Sequence, residues 1–375
     1  MIPPGATLGL LGGGQLGRMF TSRARSMGYE VVVLDPDRHS PAGRIATRHI
    51  EASYLDPEAL AELAGVSSAV TTEFENVPAA ALQFLTARVL VRPGPGALAI
   101  AQDRLSEKAF FVDAGIPTAD FAPVRNADDI EGAWERVGVP ALLKTSRLGY
   151  DGKGQVMVES LEEAHRGFAG LGGATCVLER RLALEGEISV VLARGEDGSV
   201  AAFPPGENHH VRGILDTTVV PARLPAPLLE QAVATACDVA ARLDYVGVMA
   251  LEFFVAEAGR LFANEIAPRP HNSGHYTLDG CDVCQFEQQV RALAGLPLTA
   301  PRLLSAVCMI NLLGDLWQGG EPRWAAALAL PGVSLHLYGK KDARPGRKMG
   351  HLNCLGETAD QAEGLARRAL AALAG

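Results

Sequence analysis

A chain of 375 residues is long for a single core and points to two or three domains. Its 48% hydrophobic and 21% charged residues are those of a globular enzyme rather than a disordered or fibrous chain. A net charge of −9 gives no global attraction to nucleic acid or anionic membrane, and six cysteines are too few for a disulfide scaffold. No apolar run reaches the ~18 residues of a membrane span, and the N-terminus lacks the basic n-region of a signal peptide. A cytoplasmic protein is expected, and an anionic substrate must be met by a local basic cluster.

Thr7 to Leu11 reads as a short strand, followed by Gly12-Gly13-Gly14-Gln15-Leu16-Gly17, a helix pattern ending at Gly28, and the strand Val31 to Leu34 ending at Asp35. Strand, G-x-G-x-x-G, helix, strand and acid form a dinucleotide-type fingerprint. Two readings stay open: an NAD-dependent oxidoreductase, or a βαβ start whose glycines offer backbone N–H groups to some other anion. The strand Ala69 to Thr72 ends in Glu73-Phe74-Glu75-Asn76, which places acids at a carboxyl edge. After the strand Val89 to Val91, Pro93-Gly94-Pro95-Gly96 breaks the chain. Residues 1–102 form one doubly wound domain in this reading.

A second unit, 103–180, opens with a helix from Asp103. Its strand Ala141 to Thr145 carries Lys144, a lone charge in an apolar run that calls for a partner. Gly149-Tyr150-Asp151-Gly152-Lys153-Gly154-Gln155 then leads into another strand. This is a hairpin flap rather than a P-loop, because G-x-x-x-x-G-K-[ST] and the following helix are missing. In the third unit, 181–375, Glu207 to His210 reads as a loop and Pro227 starts a long helix. Two apolar runs, Leu251 to Ala256 and Leu261 to Ala263, flank Glu257-Ala258-Gly259-Arg260. An even-length loop there pairs Glu257 with Arg260 and Glu252 with Glu265. Directly paired side chains sit roughly 4.5–5.5 Å apart at Cβ. Two carboxylates that close must share a proton or hold a cation. All-oxygen ligation suits Mg²⁺ (or Mn²⁺) with phosphate oxygens. Beyond lie Arg269, the polar loop His271-Asn272-Ser273-Gly274-His275 and a basic run from Lys340 to His351. Thr358 and Gln361 have capping-box spacing at the start of a closing helix.

GGGQLGRM at 12–19, FENV at 74–77, QDRLSEK at 102–108, GYDGKGQ at 149–155, NEIAPRPHNSGH at 264–275 and RPGRKMGHLN at 344–353 occur in this order. Together they closely resemble the 5-(carboxyamino)imidazole ribonucleotide synthetases, ATP-grasp ligases of purine biosynthesis. The resemblance implies a mixed α/β and α+β fold: a Rossmann-like parallel-sheet domain (1–102), a small central lid domain (103–180) and a C-terminal antiparallel-sheet domain (181–375). It implies a homodimer that uses ATP and Mg²⁺ to join bicarbonate to aminoimidazole ribonucleotide by way of carboxyphosphate, with no nucleic-acid or membrane partner. Glu252 and Glu265 match the metal ligands. Arg104, Lys144 and the flap residues Gly149, Tyr150, Asp151, Gly152, Lys153, Gly154 and Gln155 match the ATP phosphate contacts. Glu179, Arg180, Arg181 and Leu182 match the adenine hinge, Glu187 a ribose contact, and His210 and Asn264 further nucleotide contacts. Arg269 would stabilise carboxyphosphate and, with Lys144 and Asp151, carry catalysis. Gln15, Glu73, Tyr150, Asp151, His271, Asn272, Ser273, Lys340 and Arg347 would surround the ribonucleotide. The related formate-dependent glycinamide ribonucleotide transformylases typically carry Glu where this chain has Gln15. The wider superfamily often places Asn where this chain has Ala267, so a third metal ligand is not assumed. His271, His275, Cys281 and Cys284 have spacing that also permits zinc.

Overall fold

The structure, a computed structural model, describes residues 1–149 and 154–374. Three sheets follow one another along the chain. The first is parallel: β1 (Thr7–Leu11), β2 (Glu30–Leu34), β3 (Arg48–Ile50), β4 (Ala69–Thr72) and β5 (Leu90–Val91), in the order β3-β2-β1-β4-β5. Its inner strands β1, β2 and β4 are short runs almost wholly buried on both faces, as crossover helices require. The second is antiparallel: β6 (Phe121–Val124), β7 (Ala141–Thr145), β8 (Gln155–Val158) and β9 (Cys176–Arg180), in the order β6-β9-β7-β8. Leu143, Val158 and Leu178 on one face bury Ile130, Ala133 and Phe168 from two helices.

The third and largest sheet holds β10 (Leu184–Arg194), β11 (Val200–Ala202), β12 (Gly206–Val211), β13 (Ile214–Val220), β14 (Gly247–Ala256), β15 (Arg260–Ala267), β16 (Ala306–Leu313), β17 (Val333–Leu337) and β18 (Lys348–Gly356). Eight run β15-β14-β10-β12-β13-β16-β18-β17, with β11 beside β10. Glu207 to His210, read from sequence as a loop, is the core of β12. The nine-residue β18, absent from the sequence reading, lies between β16 and β17. Ala232, Ala236, Val239 and Ala240 of the helix Ala226–Arg242 cover Ile188, Val190, Leu192, Met249 and Leu251.

Two helices cross the sequence boundaries. Phe111 of the helix Arg104–Asp113 packs into the core of the large sheet with Ile188 and Phe253, although it opens the chain's middle unit. Phe286, Val290 and Leu293 of the helix Gln285–Ala294 pack against Leu8, Leu10, Phe20 and Val33 of the parallel-sheet unit. From the same helix, Gln289 donates to Thr71 Oγ1 (2.8 Å) and accepts from Val248 N (2.6 Å), which ties β4 to β14. The closing helix has half of its expected capping box: Gln361 N donates to Thr358 Oγ1 (3.2 Å), while Gln361 Oε1 accepts from Glu357 N (3.1 Å), one residue before the cap. Among the described residues no helix is long and apolar enough to cross a membrane.

Candidate functional site

The β14–β15 hairpin sets the central pair. Its turn is Glu257-Ala258-Gly259, three residues all at positive φ (52°, 65° and 81°), so Ala256 rather than Glu257 faces Arg260. Left-handed backbone costs the two non-glycine residues energy. Glu185 offsets part of it by accepting from Ala258 N (2.9 Å) and Gly259 N (3.0 Å). Glu257 still meets Arg260, but as an ion pair around the turn (2.9 Å). A bulge then restores what the odd turn removes. Asn264 is the extra residue between the pairs Phe253–Ala263 and Glu252–Glu265. Glu252 therefore faces Glu265, as the sequence predicts, through a shorter turn plus a bulge. The bulge also leaves two consecutive residues, Asn264 and Glu265, part-exposed where strict alternation would bury one of them.

Negative charge gathers here. Burial first, and the Glu265 charge second, push the Glu252 carboxyl up to about 7. Glu107 lies behind β15 and accepts from Ile266 N; burial and Glu265 push it up to about 8. Arg104 Nη1 reaches Glu265 Oε2 at 3.2 Å, and its Nη2 donates to Gly149 O at 3.4 Å. His271 Nε2 lies 3.2 Å from Glu252 Oε1. Ser273 N donates to His271 Nδ1 (3.3 Å), so the ring proton sits on Nε2 and faces Glu252. His210 Nδ1 is 2.9 Å from Glu187 Oε2 on the neighbouring strands. Two facing carboxylates with incomplete cationic compensation fit a hard divalent cation whose other ligands are phosphate oxygens and water.

The four-stranded sheet and the helix Arg104–Asp113 contribute a second charged group. Lys144 Nζ and Lys108 Nζ bracket Glu179 at 2.9 and 3.1 Å, all three almost fully buried. Burial opposes ionisation of Glu179, but the two ammoniums overcome it and hold the carboxyl down at about 2. Two lysine side chains thus share one carboxylate in the trio. Burial lowers the pKa of Lys144, Glu179 opposes that, and Lys108 and Arg104 add to it. The hinge residues lie where the two antiparallel sheets meet. Arg180 Nη1 is 3.4 Å from Asp120, Arg181 N donates to Pro140 O (2.9 Å), and Leu182 packs with Ala119 and Phe262. Gly154 O accepts from Thr145 N (2.8 Å) and Gln155 pairs with Lys144. The expectations for Tyr150, Asp151, Gly152 and Lys153 lie outside the described residues.

At the parallel sheet, Glu73 accepts from Gly17 N (2.7 Å) and from Gly14 N. Asp35 accepts from Gly13 N (2.7 Å) and from Tyr54 Oη (2.6 Å). A Cβ on Gly14 would stand 2.3 Å from Glu73 Oε1, so the close approach requires glycine. The N-terminus of the first helix thus has internal carboxylates on its free N–H groups, where a dinucleotide would need them for pyrophosphate. The oxidoreductase reading loses its anion site.

Gln15 is joined to the C-terminal part: its Oε1 accepts from Lys340 Nζ (2.5 Å), which also donates to Lys348 O (2.7 Å). Arg269 Nε donates to Glu75 Oε2 (2.5 Å), which locates the guanidinium between the first and third sheets. Asn272 and Ser273 are buried. Asn272 exchanges two bonds with Asn311 (3.1 and 2.7 Å), and Ser273 Oγ accepts from Ser189 Oγ (2.7 Å). Arg347 is part-exposed and donates to Asp342 O (2.9 Å). It is Lys348 whose charge bears on Glu252, His210, His271 and His275. The zinc quartet does not converge. The His275 ring lies tilted against His351 (4.8 Å between centroids), while Cys281 and Cys284 fill two different cores.

Sequence reasoning missed Lys108, Glu107, Glu75 and Lys348. Lys108 and Glu107 lie in the QDRLSEK motif, and Glu75 in the acidic carboxyl edge. Lys348 was hidden because β18 was not recognised.

Three family models cover the chain in order. The ribonucleotide synthetase preATP-grasp domain matches residues 5–102, the ATP-grasp domain residues 109–286, and the phosphoribosylaminoimidazole carboxylase C-terminal domain residues 307–364. The N5-carboxyaminoimidazole ribonucleotide synthase of Brucella melitensis is 47% identical over 353 residues, covering 94% of this chain and 96% of its own. The chain belongs to the N5-carboxyaminoimidazole ribonucleotide synthase family. A crystal structure of an N5-carboxyaminoimidazole ribonucleotide synthetase in complex with ADP superposes with a TM-score of 0.93 at 41% identity, over 98% of this chain and 97% of that one. The Aspergillus clavatus synthase, crystallised with ADP and 5-aminoimidazole ribonucleotide, gives 0.90 at 31% identity over 98% of both chains. These solved relatives superpose on the three-sheet arrangement found here, in which an ATP-grasp domain follows a preATP-grasp parallel sheet.

Proposed function

We propose that this protein carboxylates 5-aminoimidazole ribonucleotide with bicarbonate at the expense of ATP, releasing 5-(carboxyamino)imidazole ribonucleotide, ADP and phosphate. The observation that carries the proposal is the facing pair Glu252–Glu265, set between the buried Lys144–Glu179–Lys108 trio on one side and Arg269 with the His271 loop on the other. Lys144 and Arg104 meet the ATP phosphates, with Gly149, Gly154 and Gln155 beside them. The segment Glu179 to Leu182 takes the adenine, Glu187 the ribose, and His210 and Asn264 border the nucleotide. Mg²⁺ held by Glu252 and Glu265 would neutralise the charge that builds during phosphoryl transfer. Arg269 holds the carboxyphosphate anion; its guanidinium offers a planar fork that matches such an oxyanion. Gln15, Glu73, Lys340, Arg347 and the loop His271 to Ser273 line the ribonucleotide end, with Lys348 beside them. We place the enzyme in the cytoplasm as a homodimer, which light scattering on the purified protein checks.

Phosphate release from ATP and Mg²⁺ tests the reading. It should require both aminoimidazole ribonucleotide and bicarbonate, and NADH should not bind. ATP turnover that ignores aminoimidazole ribonucleotide, or that requires formate and glycinamide ribonucleotide instead, would sink it.

A further inference from the structure

Behind the His271 loop stands a fully buried amide with no assigned role. Gln285, the first residue of the helix Gln285–Ala294, accepts from His271 N (2.9 Å) and donates to His271 O (2.8 Å). It pairs with that residue as a neighbouring strand would. The two backbone groups fix which end of the amide is oxygen and which is nitrogen. The nitrogen also lies 3.0 Å from His275 Nδ1, so that ring atom accepts and its proton sits on Nε2. Gly274 makes room: a Cβ there would meet Gln285 Oε1 at 2.5 Å. Gln285 N in turn donates to Thr277 Oγ1 (3.0 Å), which donates to Gly274 O (2.6 Å). One side chain therefore sets the backbone of His271 and the tautomer of His275.

We propose that Gln285 is a positioning residue for the ligase reaction, holding His271 against Glu252 and presenting the His271–Ser273 segment to the ribonucleotide. Its hydrogen bonds go to His271, His275 and Thr277, not to Glu252 or Glu265, and it acts through His271. The proposal rests on the function given above. The geometry it protects is narrow, because His271 must satisfy Ser273 N on one ring nitrogen and Glu252 on the other. A shift of about 1 Å in such a group costs roughly 10²-fold in rate.

The same helix supplies a matched control. Gln288 is equally buried and makes the same kind of clasp on Thr299, donating to its carbonyl (2.5 Å) and accepting from its N–H (3.5 Å), away from the site. Gln285→Met and Gln288→Met should lower the melting temperature by similar amounts. Only Gln285→Met should lower kcat/KM for aminoimidazole ribonucleotide, by about 10–10²-fold, with the KM for ATP within about twofold of wild type. Equal kinetic effects in the two variants, or none in Gln285→Met, overturn the proposal. Gln285→Glu gives a readout independent of turnover. Glutamate keeps the acceptor for His271 N but loses the donor to His275 Nδ1. In ¹⁵N-histidine spectra His275 should move from the Nε2–H to the Nδ1–H tautomer, and an unchanged spectrum overturns the clasp. Wild-type protein without ribonucleotide-dependent turnover would instead refute the proposed function, while the spectra still decide the clasp.

Discussion

Two places in this molecule bring carboxylates to a loop, and they behave oppositely. At the parallel sheet, Glu73 and Asp35 meet backbone N–H groups of the glycine turn, three donors already aimed at them. At the hairpin, Glu252 and Glu265 face each other, with His271 on one and Arg104 on the other. At the first site all four carboxylate oxygens already accept hydrogen bonds. At the second, two facing acids share a buried site, and burial with the Glu265 charge raises the Glu252 carboxyl to about 7. A glycine-rich turn after a strand is therefore not by itself evidence for an anionic ligand; the count of donors and acceptors left over is what separates the two sites.

Removing an acid should have contrary effects at the two places. Glu252→Gln or Glu265→Gln should cut turnover by about 10²–10³-fold or more. The unliganded fold should keep its stability, because one of two repelling charges is gone. Steady-state phosphate release and a melting curve on the same samples decide this; near-normal activity in either variant would erase the contrast. Glu73→Gln should instead cost stability. Its amide nitrogen would confront one backbone N–H and leave it unsatisfied, at about 1–3 kcal/mol, read from urea unfolding.

Acidity sharpens the contrast further. The folded-state pKa of Glu252, about 7, lies above the ordinary value of 4.5. Its contribution to stability is present below about pH 4.5 and is lost as pH rises through about 7. Without metal, wild-type stability should thus decline across that window relative to Glu252→Gln, with a slope up to about 1.4 kcal/mol per pH unit. Parallel curves for the two proteins would show that neither burial nor the Glu265 charge raises the Glu252 carboxyl. The smallest effect is expected at Arg347→Lys, which replaces a planar fork on a part-exposed turn. The KM for aminoimidazole ribonucleotide should rise by about 2–10-fold, with that for ATP unchanged; an unchanged value for both would leave the basic contribution to Lys340 and Lys348.

The sequence was informative where one residue carries one signal. Apolar runs around a Gly-containing turn located the hairpin, and Lys144 in an apolar strand announced a buried partner. The register of Glu252 and Glu265 is instructive in another way. An even turn without a bulge and a three-residue turn with one place the same two residues opposite each other, so sequence could find the pair without finding its cause. The strand β18 escaped because Lys348, His351 and Asn353 are polar residues in a buried strand. Their partners come from other elements: Tyr338, just past the neighbouring strand, for His351, and the far more distant Asp279 for Asn353. Glu75, Glu107 and Gln285 escaped for the same reason. Each is an ordinary polar residue until the fold brings Arg269, Ile266 N or His271 to it.

The helix Gln285–Ala294 also bears on modularity. Residues 1–102 read as a separable module, yet part of their core is supplied by Phe286, Val290 and Leu293, almost two hundred residues downstream. Expressed by themselves, residues 1–102 would expose Leu8, Leu10 and Phe20 and should aggregate. A chimera that exchanged this unit with a relative would have to carry the matching face of that helix as well. The boundary that matters for recombination therefore runs along a packing surface, and no single cut in the chain reproduces it.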